Sequence, residues 1–319
     1  MRTLFVLSLI VHFGAIAQPF NDYDFEKIEV KKGNEANSIM GANSIFEDRW
    51  DVLAQPQFWK KIMQLSPDTC LVNVSATREI LEVISVKEWM KQSEVQKEAH
   101  RDSLRTLHNL ASDERLFVTT GKNDFYKFDV VYPSLSEGVA AFERHGVDPW
   151  YAQAILLIES PGQLKKSSAG AYGPFQLMPA VARNQGLTVT KYKDEREDFD
   201  RSAYASSRLI RTICIPEAKR ILEKHQIEYN ESDLWFRLFV LHVYHAGSLN
   251  VAAVVEKIAP TQGGQSLITS MWQTSAANFG NNSQNYTQLA LASQLILHEM
   301  VYEDCEYLLD CASVKQMVK

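Results

Sequence analysis

After its first residues the chain of 319 amino acids has no apolar run long enough to cross a bilayer. It also lacks any long basic run. Lysine and arginine number 33 against 39 aspartates and glutamates, for a net charge of −6. That balance argues against a nucleic-acid partner and leaves neutral sugars and peptides open. No Walker loop, G-x-G-x-x-G or G-x-S-x-G motif is present. His298-Glu299 lacks the second histidine of H-E-x-x-H, so a zinc peptidase is not supported, and no metal or cofactor is expected. Internal repeats and low-complexity tracts are absent. Cysteine is sparse: Cys70, Cys214, Cys305 and Cys311 show no C-x-x-C spacing. Two disulfides in any of three pairings, or free buried thiols, are equally consistent with this pattern.

The one strongly apolar N-terminal stretch runs from Leu4 to Phe13, after Arg2 and before Ala15-Ile16-Ala17. This is the pattern of a secretory signal peptide over residues 1–17, with an A-x-A cleavage site. It predicts an exported protein, periplasmic or secreted. No cysteine follows the cleavage site, which argues against a lipid anchor. Residues 18–45 contain "KKGNEANSIMGANS" and read as a flexible arm.

Residues 46–130 read as a helical N-terminal region ending in a β-hairpin. Its second helix is expected to open at Ser75 and to carry Ile80, Val83 and Ile84 on one face. "LFVTT", "GKN" and "DFYKF" form the hairpin candidate. From 131 to 304 the pattern is helical, and 305–319 is a tail. "SLSEGVAAFERHG" starts at Ser136-Glu137 and stops at Gly146. "DPWYAQAILLIES" has Pro149 at its first turn. "DLWFRLFVLHVYHAG" is apolar on nearly every side, as a central helix would be, and ends at Gly247. "SLNVAAVVEKIA" and "YTQLALASQLILHEMVYE" are further helices. The expected fold class is mainly α.

The stretch "IESPGQLKKSSAGAYGPFQLMP" carries the chemistry. Glu159 closes an apolar helix, where partial desolvation raises the pKa of a carboxyl and suits it to general acid work near neutrality. A plain surface glutamate at a helix end is the alternative. "ES" followed by "SSAGAYGPFQLMP" resembles the lytic transglycosylases of the soluble lytic murein transglycosylase superfamily, related to goose-type lysozyme. Their pattern is E-S, a loop, then S-x-x-G-A-x-G-x-x-Q-[LI]-[MI]-P, and here the loop is about one residue shorter. "MPAVARNQGL" and "KDEREDFDRSAYASSRLI" resemble the D-type membrane-bound murein transglycosylases, with Gln185 in place of an aromatic residue. "VYHAG" at 243–247 and "QNYTQLAL" at 284–291 resemble the family's A-Y-N-A-G and N-Y-V segments. The four blocks keep the family order between residues 159 and 291. Residues 18–130 lie outside the resemblance, and the LysM repeats that often follow the D-type domain are absent.

The resemblance implies a lysozyme-like helical domain acting on peptidoglycan glycan strands, with any cell-wall enzyme complex left open. Glu159 would be the single catalytic residue, protonating the glycosidic oxygen and then accepting the proton of the substrate's own C6 hydroxyl. The product would be 1,6-anhydro-N-acetylmuramic acid, and no partner carboxylate would face Glu159. Ser167, Gly173, Gln176, Tyr244 and Tyr286 match the family's substrate-binding positions, and Phe175 and His245 stand at two more where the family usually has other residues.

Each also has a bland role. Ser167 and Gln176 are suited to capping their own loop, and the two tyrosines to a core with satisfied hydroxyls. Gly170 and Gly173 suit close approach to a ligand, while Tyr172, Phe175 and Trp272 offer flat faces for sugars or for packing. His245 replaces the family asparagine and, near its ordinary pKa of about 6.5, would charge at mildly acid pH. Asp194, Glu195, Arg196 and Asp198 read as a solvated turn with capping or salt-bridge roles. A hydrolytic muramidase and a weakened peptidoglycan-binding or scaffolding protein are the alternatives to a lytic transglycosylase.

Overall fold

A computed structural model describes residues 26–32, 35–159 and 166–302. The signal-peptide expectation at 1–17, Cys305, Cys311 and the 305–319 tail lie outside the described residues. The described residues open with an antiparallel hairpin of β1 (Lys27–Lys32) and β2 (Glu35–Met40). Two helices follow, α1 (Asn43–Glu47) and α2 (Ala54–Gln64). Next come β3 (Thr69–Val74), β4 (Ile80–Ser85), α3 (Val86–Lys91), α4 (Glu94–Leu107) and β5 (Leu116–Thr120). The three strands make one antiparallel sheet in the order β4-β3-β5. The remainder is helical: α5 (Phe128–Arg144), α6 (Trp150–Glu159), α7 (Pro179–Asn184) and α8 (Phe199–Leu209). A π-helical turn at Ile210–Cys214 joins α8 to α9 (Ile215–Lys224). It precedes Pro216, which has no N–H to continue a regular ladder. The chain continues through α10 (Leu234–Ala246), α11 (Ser248–Ile258), α12 (Gln265–Gln273) and α13 (Asn281–Tyr302). The fold is mainly α with a few short strands.

Four sequence expectations are corrected here. The arm at 18–45 contains the β1–β2 hairpin, whose Val30, Ile39 and Met40 are buried in the main core. Ile80, Val83 and Ile84 lie on strand β4 rather than a helix, and Ser75 caps nothing helical. Their spacing fits both periods; the β-branched run resolves as a strand because β3 supplies a partner. "LFVTT" is a strand, but it pairs with β3, and "DFYKF" leads into α5. That helix starts eight residues before the expected Ser136 and holds Pro133 within its first turns.

The N-terminal region is not a separate body. Phe58, Trp59, Ile62 and Met63 of α2 share one core with α5, α6, α10 and α13. Trp59 Nε1 donates to Gln288 Oε1 of α13 at 3.0 Å. The far face of the sheet packs Val72, Val74 and Leu116 against Leu104 of α4 in a satellite core. Strand β3 is therefore covered on both faces, which explains its continuous apolar burial. At the centre, the fully buried Gln153 of α6 accepts from Met40 N at 2.9 Å. It donates to Met40 O at 2.8 Å and to Gln294 Oε1 of α13 at 2.7 Å. One amide thus ties β2, α6 and α13 together.

Candidate active site

Glu159 is placed by a helix anchored at its other end. Asp148 accepts from Trp150 N at 2.9 Å, capping α6, and from Arg237 Nε of α10 at 2.7 Å. Arg237, 1% exposed, also pairs with Glu26 at 2.7 Å. Every residue of α6 from Trp150 to Ile158 is buried, so the helix delivers Glu159 from the core to the edge of a groove. The carboxyl is half-buried. Desolvation pushes its pKa up to about 7, opposed only by Tyr286, whose hydroxyl beside it favours the ionised form. The negative end of the α6 dipole acts in the same direction as desolvation.

Three phenols surround this acid. Tyr286 of α13 is 4% exposed, and its hydroxyl forms no well-aligned hydrogen bond among the described residues, although it lies near enough to act on Glu159. Burial and the Glu159 charge raise the pKa values of Tyr286, Tyr244 and Tyr126. All three hydroxyls are therefore donors at neutral pH. Tyr244 donates to the carbonyl of Phe175 at 2.7 Å, fastening the 167–177 turn to α10, and lies 3.3 Å from Ser206 Oγ.

His245 follows on α10 and stacks on Tyr286, with centroids 4.2 Å apart and planes 22° from parallel. Its ring faces the open groove and is solvent-accessible, yet the surrounding walls remove hydration that an imidazolium needs. Its pKa is lowered to about 4. The expectation that it charges in mildly acid solution is corrected accordingly. One turn earlier, His242 is fully buried with Nε2 2.9 Å from Thr287 Oγ1, which accepts from Trp272 Nε1 at 2.8 Å. Trp272 is therefore a core residue rather than a sugar platform.

The remaining sequence candidates build the turn at 167–177. Ser167 is exposed, and its Oγ accepts from Ala171 N at 2.9 Å, closing its own loop. Gln176 has φ +45°, and its Nε2 donates to Gly173 O at 3.0 Å. The Phe175 side chain is fully buried and stacks on Phe142 at 5.5 Å, so its role is packing. Gly173, φ +84°, is required by close approach: a Cβ there would stand 1.8 Å from the carbonyl oxygen of Arg196.

The turn at 194–198 has the expected capping and salt-bridge roles, with Arg196 buried rather than solvated. Arg196 is 3% exposed and donates to Asp194 through Nε and Nη2, at 2.8 and 2.7 Å. Its Nη1 donates to the carbonyls of Gly170 and Leu177 at 2.9 and 2.8 Å. Arg196 thus staples the turn, and Asp198 caps α8 by accepting from Arg201 N at 2.9 Å.

The groove has a volume of about 580 Å³, and its opposite wall comes from the N-terminal region. Trp59 of α2, Arg78 of the turn before β4, Phe117 and Thr119 of β5, and Lys122 face Glu159 and His245 across it. Asn281, Asn282 and Asn285 at the start of α13 form its floor with Tyr286. Sequence reasoning assigned none of these to the site. The only available signal was the aromatic and basic content around 59, 78 and 117–122, which carries no spacing of its own. Among the described residues lining the groove, Glu159 is the one carboxylate. No group of three metal-ligating side chains occurs among the described residues, and no helix there is long and apolar enough to cross a membrane. Neither a family model nor a curated protein matches the chain.

Proposed function

We propose that the chain is a peptidoglycan lytic transglycosylase that cleaves the β-1,4 bond between N-acetylmuramic acid and N-acetylglucosamine. The observation that carries this reading is a lone carboxyl at the end of a buried helix, with its pKa raised to about 7, in a groove that has no second acid among its described lining residues. Glycosidases of the usual kind use two carboxylates. One acid suffices when the substrate supplies its own nucleophile.

With its pKa raised to about 7, Glu159 has both its protonated and ionised forms available near neutral pH. The protonated carboxyl donates to the bridging oxygen, the C1–O bond breaks, and N-acetylglucosamine leaves with a new 4-hydroxyl. The oxocarbenium-like C1 of the muramoyl unit is then captured by its own C6 hydroxyl. That proton passes to the Glu159 carboxylate and restores the starting acid. No water is consumed. The Tyr286 hydroxyl stabilises the carboxylate present between the two transfers. His245, neutral above about pH 4, offers the groove one donor and one acceptor without charging it.

The reading belongs with export to the cell wall, for remodelling or turnover. Incubating purified sacculi with the protein and analysing the released fragments by mass spectrometry tests it. Muropeptides ending in 1,6-anhydromuramic acid are expected, and their absence with active protein would contradict the assignment. Glu159→Gln should release roughly 10²–10⁴-fold less, the range for loss of general acid–base catalysis.

A further inference from the structure

The wall opposite Glu159 holds two cations that no acid among the described residues neutralises. Arg78 is 5% exposed and donates to Asn281 Oδ1 at 3.0 Å and Asn285 Oδ1 at 2.8 Å. Its guanidinium lies over the rings of Phe58, Trp59 and Phe117, at 5.6, 5.7 and 5.4 Å. Lys122 Nζ stands 5.7 Å from the Trp59 ring centroid. Neither forms an ion pair with any described residue, in a chain whose net charge is −6. Holding a guanidinium out of water without a carboxylate is costly, and aromatic faces and amide oxygens only partly offset it. Desolvation lowers the Arg78 pKa to about 10, which still leaves it charged at neutral pH.

The amides extend the pattern. A guanidinium can only donate, so it fixes both asparagine oxygens toward itself and turns their NH₂ groups away. The wall therefore presents two cations and two amide donors around a groove whose one described carboxylate is largely protonated below pH 7. The pKa of Glu159 is raised by desolvation and lowered only by Tyr286, with neither cation among its causes. The cations thus stand apart from the catalytic carboxyl instead of pairing with it.

We infer that Arg78 and Lys122, with the amides of Asn281 and Asn285, form an anion subsite for a carboxylate carried on the muramoyl unit. This inference rests on reading the groove as a glycan-cleaving site, and it deepens that reading by assigning the N-terminal region the selection of an anionic glycan over a neutral one. Two sources supply the same chemistry: the stem peptide, or the lactyl ether freed when the peptide is removed.

The test is calorimetric binding of Glu159→Gln protein to three soluble oligosaccharides of equal length. They are peptide-bearing glycan, amidase-stripped glycan with a free lactyl carboxylate, and chitooligosaccharide, which has no carboxylate. At least one anionic ligand should bind roughly tenfold tighter than chitooligosaccharide, the low end for a hydrogen-bonded charge. The advantage should shrink as salt is raised. Which anionic ligand is favoured identifies the source. A second substitution, Lys122→Gln, should largely abolish the preference and Lys122→Arg should keep it, with thermal melts confirming that each variant is folded. Arg78 is avoided as the first target because its burial makes misfolding a competing outcome. Equal binding of all three ligands, binding of none, or a preference untouched by Lys122→Gln overturns the subsite. Product analysis on unsubstituted protein separates the two claims. Anhydro products with no anionic preference would remove only the subsite, whereas a Lys122-dependent preference without cleavage would remove only the catalytic reading.

Discussion

The imidazole of His245 lies flat on the phenol ring of Tyr286, 4.2 Å between centroids, and Tyr286 in turn sets its hydroxyl beside Glu159. A residue of α10 and a residue of α13 thereby form one surface of the groove. The stack orients the phenol, and the groove walls keep the imidazole neutral by lowering its pKa to about 4. His245→Asn should accordingly leave the shape of the activity profile between pH 7 and 5.5 unchanged. Turnover on identical sacculi checks this. A decline over that interval in the parent that vanishes in His245→Asn would show that the histidine charges where the structure holds it neutral.

The Tyr286 hydroxyl favours ionised Glu159, so removing it raises the carboxyl's pKa above about 7. Because the reaction starts from the protonated acid, activity should fall as pH rises through that value. In Tyr286→Phe the falling limb should move to higher pH by roughly one unit, the lower range for a hydrogen bond to a charged group. A limb at the same pH would mean that the hydroxyl does not reach the carboxyl.

Glu159 also makes a stability prediction of definite sign. Its folded-state pKa of about 7 exceeds its ordinary value of 4.5, so its contribution is most favourable below pH 4.5 and is lost as pH rises through 7. Glu159→Gln should then be more stable than the parent at pH 8, by about 3 kcal/mol, with the difference closing toward pH 4.5. Denaturant unfolding at several pH values measures it. A variant less stable than the parent at pH 8 would contradict the desolvated, proton-binding carboxyl.

Gly173→Ala should damage the turn more than its size suggests. The added Cβ would stand 1.8 Å from the Arg196 carbonyl oxygen, at a φ of +84° that side chains resist. A loss of ~3 kcal/mol in unfolding free energy is expected, combining left-handed strain with the clash. Unaltered stability would mean that the turn can swing away from Arg196 freely.

Much of the helical frame was legible. The apolar runs of α6 and α10, the Pro149 start and the Gly247 stop are local signals, and the structure places those helices where the sequence put them. The strands were harder. The run Ile80–Ser85 satisfies helical spacing as readily as strand alternation, and only pairing with β3 decides between them. For the site, Glu159, His245 and Tyr286 were visible from motif resemblance, and the structure brings those three together. Ser167, Gly173, Phe175 and Gln176 share the same motif and build and fasten the turn. The Arg78–Lys122 wall could not be read, because it faces Glu159 only after the sheet has packed across a gap of tens of residues in sequence. No local pattern records that meeting.

The central claim is that a lone Glu159 cleaves the glycan with the substrate's own hydroxyl as nucleophile. Running the reaction on purified sacculi in water enriched in heavy oxygen tests it most directly. The account predicts anhydromuramoyl ends that carry no label, produced by the parent protein and reduced to a trace in Glu159→Gln. Reducing muramic acid ends that carry the heavy oxygen would show attack by water and contradict it.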